Sequence, residues 1–247
     1  MTQSAGATNN LSGKRAVVFG GSSGIGLATV QQLSARGVSV TAVSRNPERA
    51  ANDVPDGVKL AACDTRDIDA LGALFAELAA DGPIDLLINC ATGGKRAAGP
   101  FLEMDLDGYR GSFDKLWGYA NTVRVGAAHL ADDAGIVLVT GSPAQRAKPG
   151  QSALASVGGA IEAFCRALAP ELAPRRINCV SPGVTDTPMF GPDAEARGKM
   201  LGQATAKHLL PRPVSAAEIA DAILLCAGNA MMTGGVINVD GGWILGQ

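Results

Sequence analysis

Arg15-Ala16-Val17-Val18-Phe19-Gly20-Gly21-Ser22-Ser23-Gly24-Ile25-Gly26 is the stretch that decides the fold. It opens with a short apolar run of β-branched and aromatic residues that stops at glycine, the pattern of a strand buried on both faces. From Ile25 the pattern turns helical, over residues 25–36. Glycines at such a strand-to-helix turn let the backbone approach a ligand. The helix start that follows supplies unpaired N–H groups and the positive end of its dipole. The stretch therefore reads as a pyrophosphate cradle lined by Gly20, Ser22, Ser23, Gly24, Ile25 and Gly26. A glycine turn alone would be only a tight bend; its place between an apolar strand and a helix gives the reading its weight.

The same alternation continues along the chain. Further strands are expected over residues 38–43, 58–62, 84–89, 135–140, 176–181 and 236–239, and helices near 67–80, 107–130, 152–172 and 215–227. Strand and helix in repeated alternation predict a single α/β domain of the Rossmann type. Its doubly wound parallel sheet has about seven strands, with helices on both faces. That domain occupies residues 11–247, after a loose polar tail over residues 1–10. Residues 182–213 carry Pro182, Pro188, Pro192, Pro211 and Pro213 and read as the longest irregular segment, a substrate lid.

Composition sets the outer bounds. The 247 residues are 47% hydrophobic and 18% charged, with a formal net charge of −2, as a globular domain with a sizeable core requires. Nothing in that balance favours nucleic acid or a membrane surface as a partner. No uninterrupted apolar run reaches the roughly 18 residues of a membrane span. Residues 1–10 lack the basic and apolar regions of a signal peptide, so a cytoplasmic protein is expected. Cys63, Cys90, Cys165, Cys179 and Cys226 are isolated and sit mostly in apolar runs. That argues for buried thiols and against a disulfide framework or a metal site.

The second strand ends in Ser44-Arg45. Dinucleotide sites that take NAD place a carboxylate here, on the ribose 2′-OH. Arg45 instead offers a cationic fork to a 2′-phosphate, which favours NADP(H) over NAD(H), unless it is simply a solvated loop arginine.

Gly20-x-x-x-Gly24-x-Gly26 resembles the turn of the short-chain dehydrogenase/reductase family, with Phe19 where that family has Thr. Further landmarks follow in order: Cys63-Asp64-Thr65, Asn89-Cys90-Ala91-Thr92, Ser181-Pro182-Gly183-Val184-Thr185-Asp186-Thr187, and the closing Thr233 to Gly242 segment. The resemblance covers residues 12–245. It implies that Asp64 and Thr65 meet the adenine, and that Asn89 and Ala91 line the adenosine ribose. Pro182, Gly183, Val184 and Thr187 would lie beside the nicotinamide amide. It also implies a homodimer or homotetramer paired through the helix over residues 152–172 and the one before it.

The family's proton donor and its helper lie in a Tyr-x-x-x-Lys segment. Pro149-Gly150 and Ala155-Ser156 set the register, so those two positions fall on Ala153 and Val157, neither of which moves a proton. The resemblance places the family's carbonyl-polarising serine at Thr140, with Ser142 as a second hydroxyl, and its relay asparagine at Lys115. Lys115 either enters the pocket, where desolvation would make it an acid, or points to solvent as most lysines do. His208, in the expected lid, is a further group within reach of a substrate; Tyr109, Tyr119, Arg146 and Lys148 read more simply as packing or solvated loop residues.

These features support an NADP(H)-dependent oxidoreductase acting on a small carbonyl or enone without the usual acid pair. Two alternatives stay open: a non-redox enzyme reusing the pocket, and a nucleotide-binding sensor or scaffold without chemistry.

Overall fold

The computed structural model describes residues 11–92 and 96–246; the tail expected over residues 1–10 lies outside them. β1 (Arg15–Phe19) leads into α1 (Gly24–Ser34). β2 (Ser39–Ser44) and β3 (Lys59–Ala62) precede α2 (Ile68–Ala79). β4 (Ile84–Asn89) precedes α3 (Leu106–Ser112) and α4 (Asp114–Gly126), and β5 (Leu130–Val139) precedes α5 (Ser152–Leu172). β6 (Arg176–Pro182), β7 (Thr185–Asp186), α6 (Ala194–Thr205), β8 (Val214–Ser215), α7 (Ala216–Gly228) and β9 (Val236–Val239) follow.

Seven strands form one parallel sheet in the order β3-β2-β1-β4-β5-β6-β9. β7 and β8 make a separate two-stranded pair. Both sheet faces are covered, so the strands read as continuous apolar runs and successive residues go to opposite cores. Val17, Leu87, Ile136 and Ile177 pack under Leu71 and Phe75 of α2, Val123 of α4 and Ile161 of α5. Val18, Ile88 and Val137 pack against Val30 and Leu33 of α1 and Ile219 and Ile223 of α7. The doubly wound fold expected from the sequence is the fold observed.

Two local expectations need correction. Residues 107–130 are not one helix. Asp105 caps α3 by accepting from the Asp107 and Gly108 N–H groups, the weak helix formers Gly111 and Ser112 end it, and α4 restarts after Phe113. Residues 182–213 are not irregular. The prolines flank a stretch of good helix formers, and Asp193 accepts from Ala196 N at 2.7 Å to start α6. α5 is long and apolar enough, by length and composition, to cross a membrane. Glu162 and Arg166 interrupt it, and Val157, Ile161 and Cys165 bury one face in the core as in a soluble domain.

The strand order reverses between β1 and β4, and there the backbone is tightest. A Cβ on Gly26 would lie 2.0 Å from the Gly20 carbonyl oxygen, which no side-chain adjustment relieves. Gly26→Val should therefore destabilise the domain by about 1–3 kcal/mol, as overpacking does, and lower the urea midpoint. A midpoint equal to that of the unsubstituted protein would show that this turn tolerates a wider spacing.

Candidate active site

A cleft of about 640 Å³ runs along the carboxyl ends of the strands. Phe19, Val43, Cys63, Cys90, Val139 and Pro182 all open into it, as expected of a ligand site at the switch point of an open α/β sheet.

One half is a nucleotide cradle. Gly20 sits at φ +79°, and a Cβ there would lie 2.7 Å from the Ala91 nitrogen, so only glycine fits. Ser23, just before α1, is extended and its side chain does not cap the helix, which leaves the first-turn N–H groups unpaired by any capping side chain. Gly20, Ser22, Ser23, Gly24, Ile25 and Gly26 line this turn, as expected. At the end of β2 the Ser44 hydroxyl is buried without a partner, and the exposed Arg45 beside it lines the cleft. An orphaned hydroxyl next to a cation with no ion pair among the described residues fits a phosphate. Asp64 and Thr65 line the same end. The Asp64 carboxylate accepts from Arg66 Nε at 3.1 Å and Nη2 at 2.8 Å. That pairing holds its pKa down at about 2. Ala91, Pro182, Gly183, Val184 and Thr187 complete the lining. Asn89 does not line the cleft. It lies beneath the floor, fully buried, and its amide donates to Thr122 Oγ1 at 2.9 Å while its Oδ1 has no partner. The residues present thus fit a phosphorylated dinucleotide.

The other half holds the reactive groups. Lys115 enters the cleft from α4 and does not point to solvent. Its Nζ donates to the Thr140 carbonyl at 3.2 Å and lies 5.6 Å from the centre of the Tyr119 ring. Burial, followed by the Arg96 charge, pulls its pKa down from 10.5 to about 8. Thr140 and Ser142 both reach the cleft. The Thr140 hydroxyl faces the Val180 carbonyl at 3.3 Å and Glu162 Oε1 at 3.4 Å, so it is engaged internally.

α5 carries no tyrosine or lysine, and its cleft wall is Gln151, Leu154, Val157 and Gly158. Ala153 is buried behind that wall and does not line it. Tyr109 pairs with Ser156 at 2.9 Å and Tyr119 donates to the Val139 carbonyl at 3.0 Å. Neither lines the cleft, and both serve packing.

His208 does reach the cleft. It is 6% exposed, its Nε2 has no partner, and burial and then the Lys148 charge hold its pKa below 6.5. Lys148 also lines the cleft, whereas Arg146 does not. Arg96 and Trp243 are lining residues that sequence reasoning missed. Arg96 lies in the loop after β4 with no local pattern to mark it. Trp243 is brought in only by closure of the chain end over the sheet.

The fold and the cleft are those of a dinucleotide-binding α/β domain with an open catalytic half. A family model described as enoyl-(acyl carrier protein) reductase matches residues 20–244. The L-xylulose reductase of Mus musculus is 32% identical over 249 residues, covering 95% of this chain and 98% of that protein. A solved small-chain dehydrogenase in complex with NADPH has a TM-score of 0.80 at 30% identity, covering 94% of this chain and 99% of its own. The NADPH-bound short chain oxidoreductase of Pseudomonas aeruginosa PAO1, containing an atypical catalytic center, has a TM-score of 0.87 at 28% identity, covering 95% and 98%. The chain belongs to the short-chain dehydrogenase/reductase family of oxidoreductases.

Lys115 gives this site a pH signature. The folded protein releases the Lys115 proton near pH 8 and the unfolded chain only near 10.5. Between those values the unfolded chain binds more protons, so stability should rise with pH there. Lys115→Met should flatten that rise in urea titrations from pH 7 to 10. Parallel curves for the two proteins would place the Lys115 proton back at its ordinary value.

Proposed function

We propose that this protein is an NADP(H)-dependent reductase of small carbonyl or enone compounds in which Lys115, rather than a tyrosine, delivers the proton. The observation that carries this reading is the Lys115 ammonium inside the cleft, its pKa lowered to about 8, where the α5 residues of the same cleft offer no acid.

Arg45 and Ser44 hold the 2′-phosphate, and the turn from Gly20 to Gly26 with the start of α1 holds the pyrophosphate. When bound, NADPH supplies the hydride that, with one proton, converts the carbonyl to an alcohol and leaves NADP⁺. Ser142, whose hydroxyl is not engaged as that of Thr140 is, donates a hydrogen bond to the substrate oxygen and fixes its position. Lys115 transfers the proton to that oxygen and is recharged from solvent. At pH 7 the group is mostly protonated, yet it holds its proton less tightly than an exposed lysine, which suits a general acid. Ala153 and Val157 stand where the family's tyrosine and lysine would be, and the apolar surface around Val157 keeps the ammonium desolvated. The Pseudomonas aeruginosa relative, which contains an atypical catalytic center, is a precedent for a departure from the usual catalytic residues on this fold. The 182–213 segment, with Met189 and Phe190 on the cleft, acts as the lid, and copies pair as a homodimer or homotetramer through α4 and α5.

Replacing Arg45 by Asp should weaken NADPH binding by at least about tenfold while leaving NADH within a fewfold, since a charge-assisted phosphate contact is lost. Equal losses for the two nucleotides would remove Arg45 from recognition of the 2′-phosphate.

With a panel of carbonyl compounds, Lys115→Met should lower kcat by about 100-fold, the usual scale of general acid catalysis. NADPH affinity, followed by nicotinamide fluorescence, should stay within a fewfold. Undiminished turnover would exclude Lys115 as the acid.

A further inference from the structure

One wall of the catalytic half is built from residues the reduction itself does not use. Lys148, His208 and Trp243 line the cleft together. The Trp243 indole is the plate on which the others are assembled. Lys148 Nζ lies 4.2 Å from a Trp243 ring centre, and the His208 ring lies 5.0 Å away at 34°. The indole is fixed from behind. Its Nε1 donates to the Arg146 carbonyl at 3.2 Å. The Arg146 guanidinium, 4.6 Å from the indole, donates back to the carbonyls of Trp243 and Gly246.

Among the described residues this wall presents no carboxylate to the cleft. Lys148 makes no ion pair among the described residues. Among the described residues, His208 Nε2 is buried with no partner. The nearby Asp240 carboxylate makes no ion pair with either group: its two oxygens accept from the Gly242 and Ile244 N–H groups at 2.9 and 3.0 Å, and it acts on His208 only through its charge and its backbone. Asp64, the carboxylate that does line the cleft, sits at the nucleotide end and is clasped by Arg66. An ammonium over an indole beside an orphaned imidazole nitrogen is half of an anion site, since a buried polar atom without a partner carries a desolvation cost that a ligand removes. The flat indole and the neighbouring Leu154 and Phe190 suit a planar anionic group on an apolar body.

We propose that Lys148, His208 and Trp243 bind a carboxylate of the substrate, so that the compound reduced is a carbonyl acid. Its reacting carbonyl lies at Ser142 and Lys115, and its carboxylate at the far wall. A carboxylate between Lys148 and His208 offsets the repulsion that Lys148 exerts on the imidazolium. His208 then adopts the protonated form and donates from Nε2. Asp240, which also favours the imidazolium, acts in the same direction.

The proposal rests on the reductase reading for the chemistry, while carboxylate recognition is testable without turnover. Benzoate and its neutral isostere benzamide are titrated calorimetrically into the full-length protein at pH 7, with and without NADP⁺. Benzoate should bind at least about tenfold more tightly than benzamide, the scale of a charge-assisted hydrogen bond. Lys148→Met, at an exposed position, should weaken benzoate about tenfold and leave benzamide and NADPH unchanged. Equal binding of the two compounds overturns the proposal. So does a benzoate affinity that falls with Lys115→Met but not with Lys148→Met, which would place the anion at the reacting end. Benzoate discrimination in a protein that binds no NADPH would keep the carboxylate wall and sink the reductase reading. NADPH binding without discrimination would do the reverse.

Discussion

The seam between β1 and β4 is the constraint on which the rest depends. Phe19 accepts from Cys90 N at 2.8 Å, Gly20 donates to Val43 at 2.8 Å, and Gly20 lies so close to Ala91 that no side chain fits between them. These bonds tie the ends of β1, β2 and β4 together at the line where the sheet order reverses. The covering helices diverge along that line, and the divergence opens the cleft. Because the turn is fixed by backbone contacts alone, its N–H groups and the start of α1 stay aimed at the space above the sheet. Polar binding groups therefore arrive there as a consequence of topology, and side chains such as Arg45 are left to adjust, in the proposed reading, which nucleotide is preferred.

The two unusual features of the catalytic half have one physical origin. α5 presents Leu154, Val157 and Gly158 to the cleft, none of which offers a charge or a donor. A wall of that kind strips water from whatever faces it. Lys115 lines the same cleft, and burial is the largest cause of its lowered pKa. In the proposed reaction, the surroundings that supply no acid on α5 would supply one on α4. The Tyr119 ring, 5.6 Å from the ammonium, helps to hold it, and its single carbonyl partner among the described residues leaves further N–H donors for a ligand.

Most of the fold was legible because its signals are local. Each sheet strand is a short apolar run ending in glycine or a polar residue, and the cradle is a contiguous stretch, so strand ends and the residues just after them could be placed by number. What failed to show depended on distance in the chain. α6 was hidden because flanking prolines dominate its composition, although Asp193 and the helix formers after it decide the outcome. The burial of Ala153 and Asn89 depends on how α5 and β4 are rotated against their neighbours, which no period in their own sequence reveals. Arg96 and Trp243 reach the cleft only when a loop and the chain end fold over the sheet. His208 and Lys148 were legible as titratable residues near the site, but their shared indole was not.

The division of labour among hydroxyls follows from which partners the backbone leaves available. Thr140 directly follows β5, and its N–H donates to the Val180 carbonyl at 2.8 Å. Its hydroxyl shares that carbonyl and Glu162, and its own carbonyl accepts from Lys115. In the proposed reaction Thr140 is therefore a positioning residue that anchors Lys115 over the cleft. Ser142 lies two residues on and lines the cleft, and among the described residues no carbonyl is bonded to its hydroxyl. A hydroxyl that meets the substrate oxygen must keep its donor unengaged until the substrate arrives, and Ser142 satisfies that requirement where Thr140 does not.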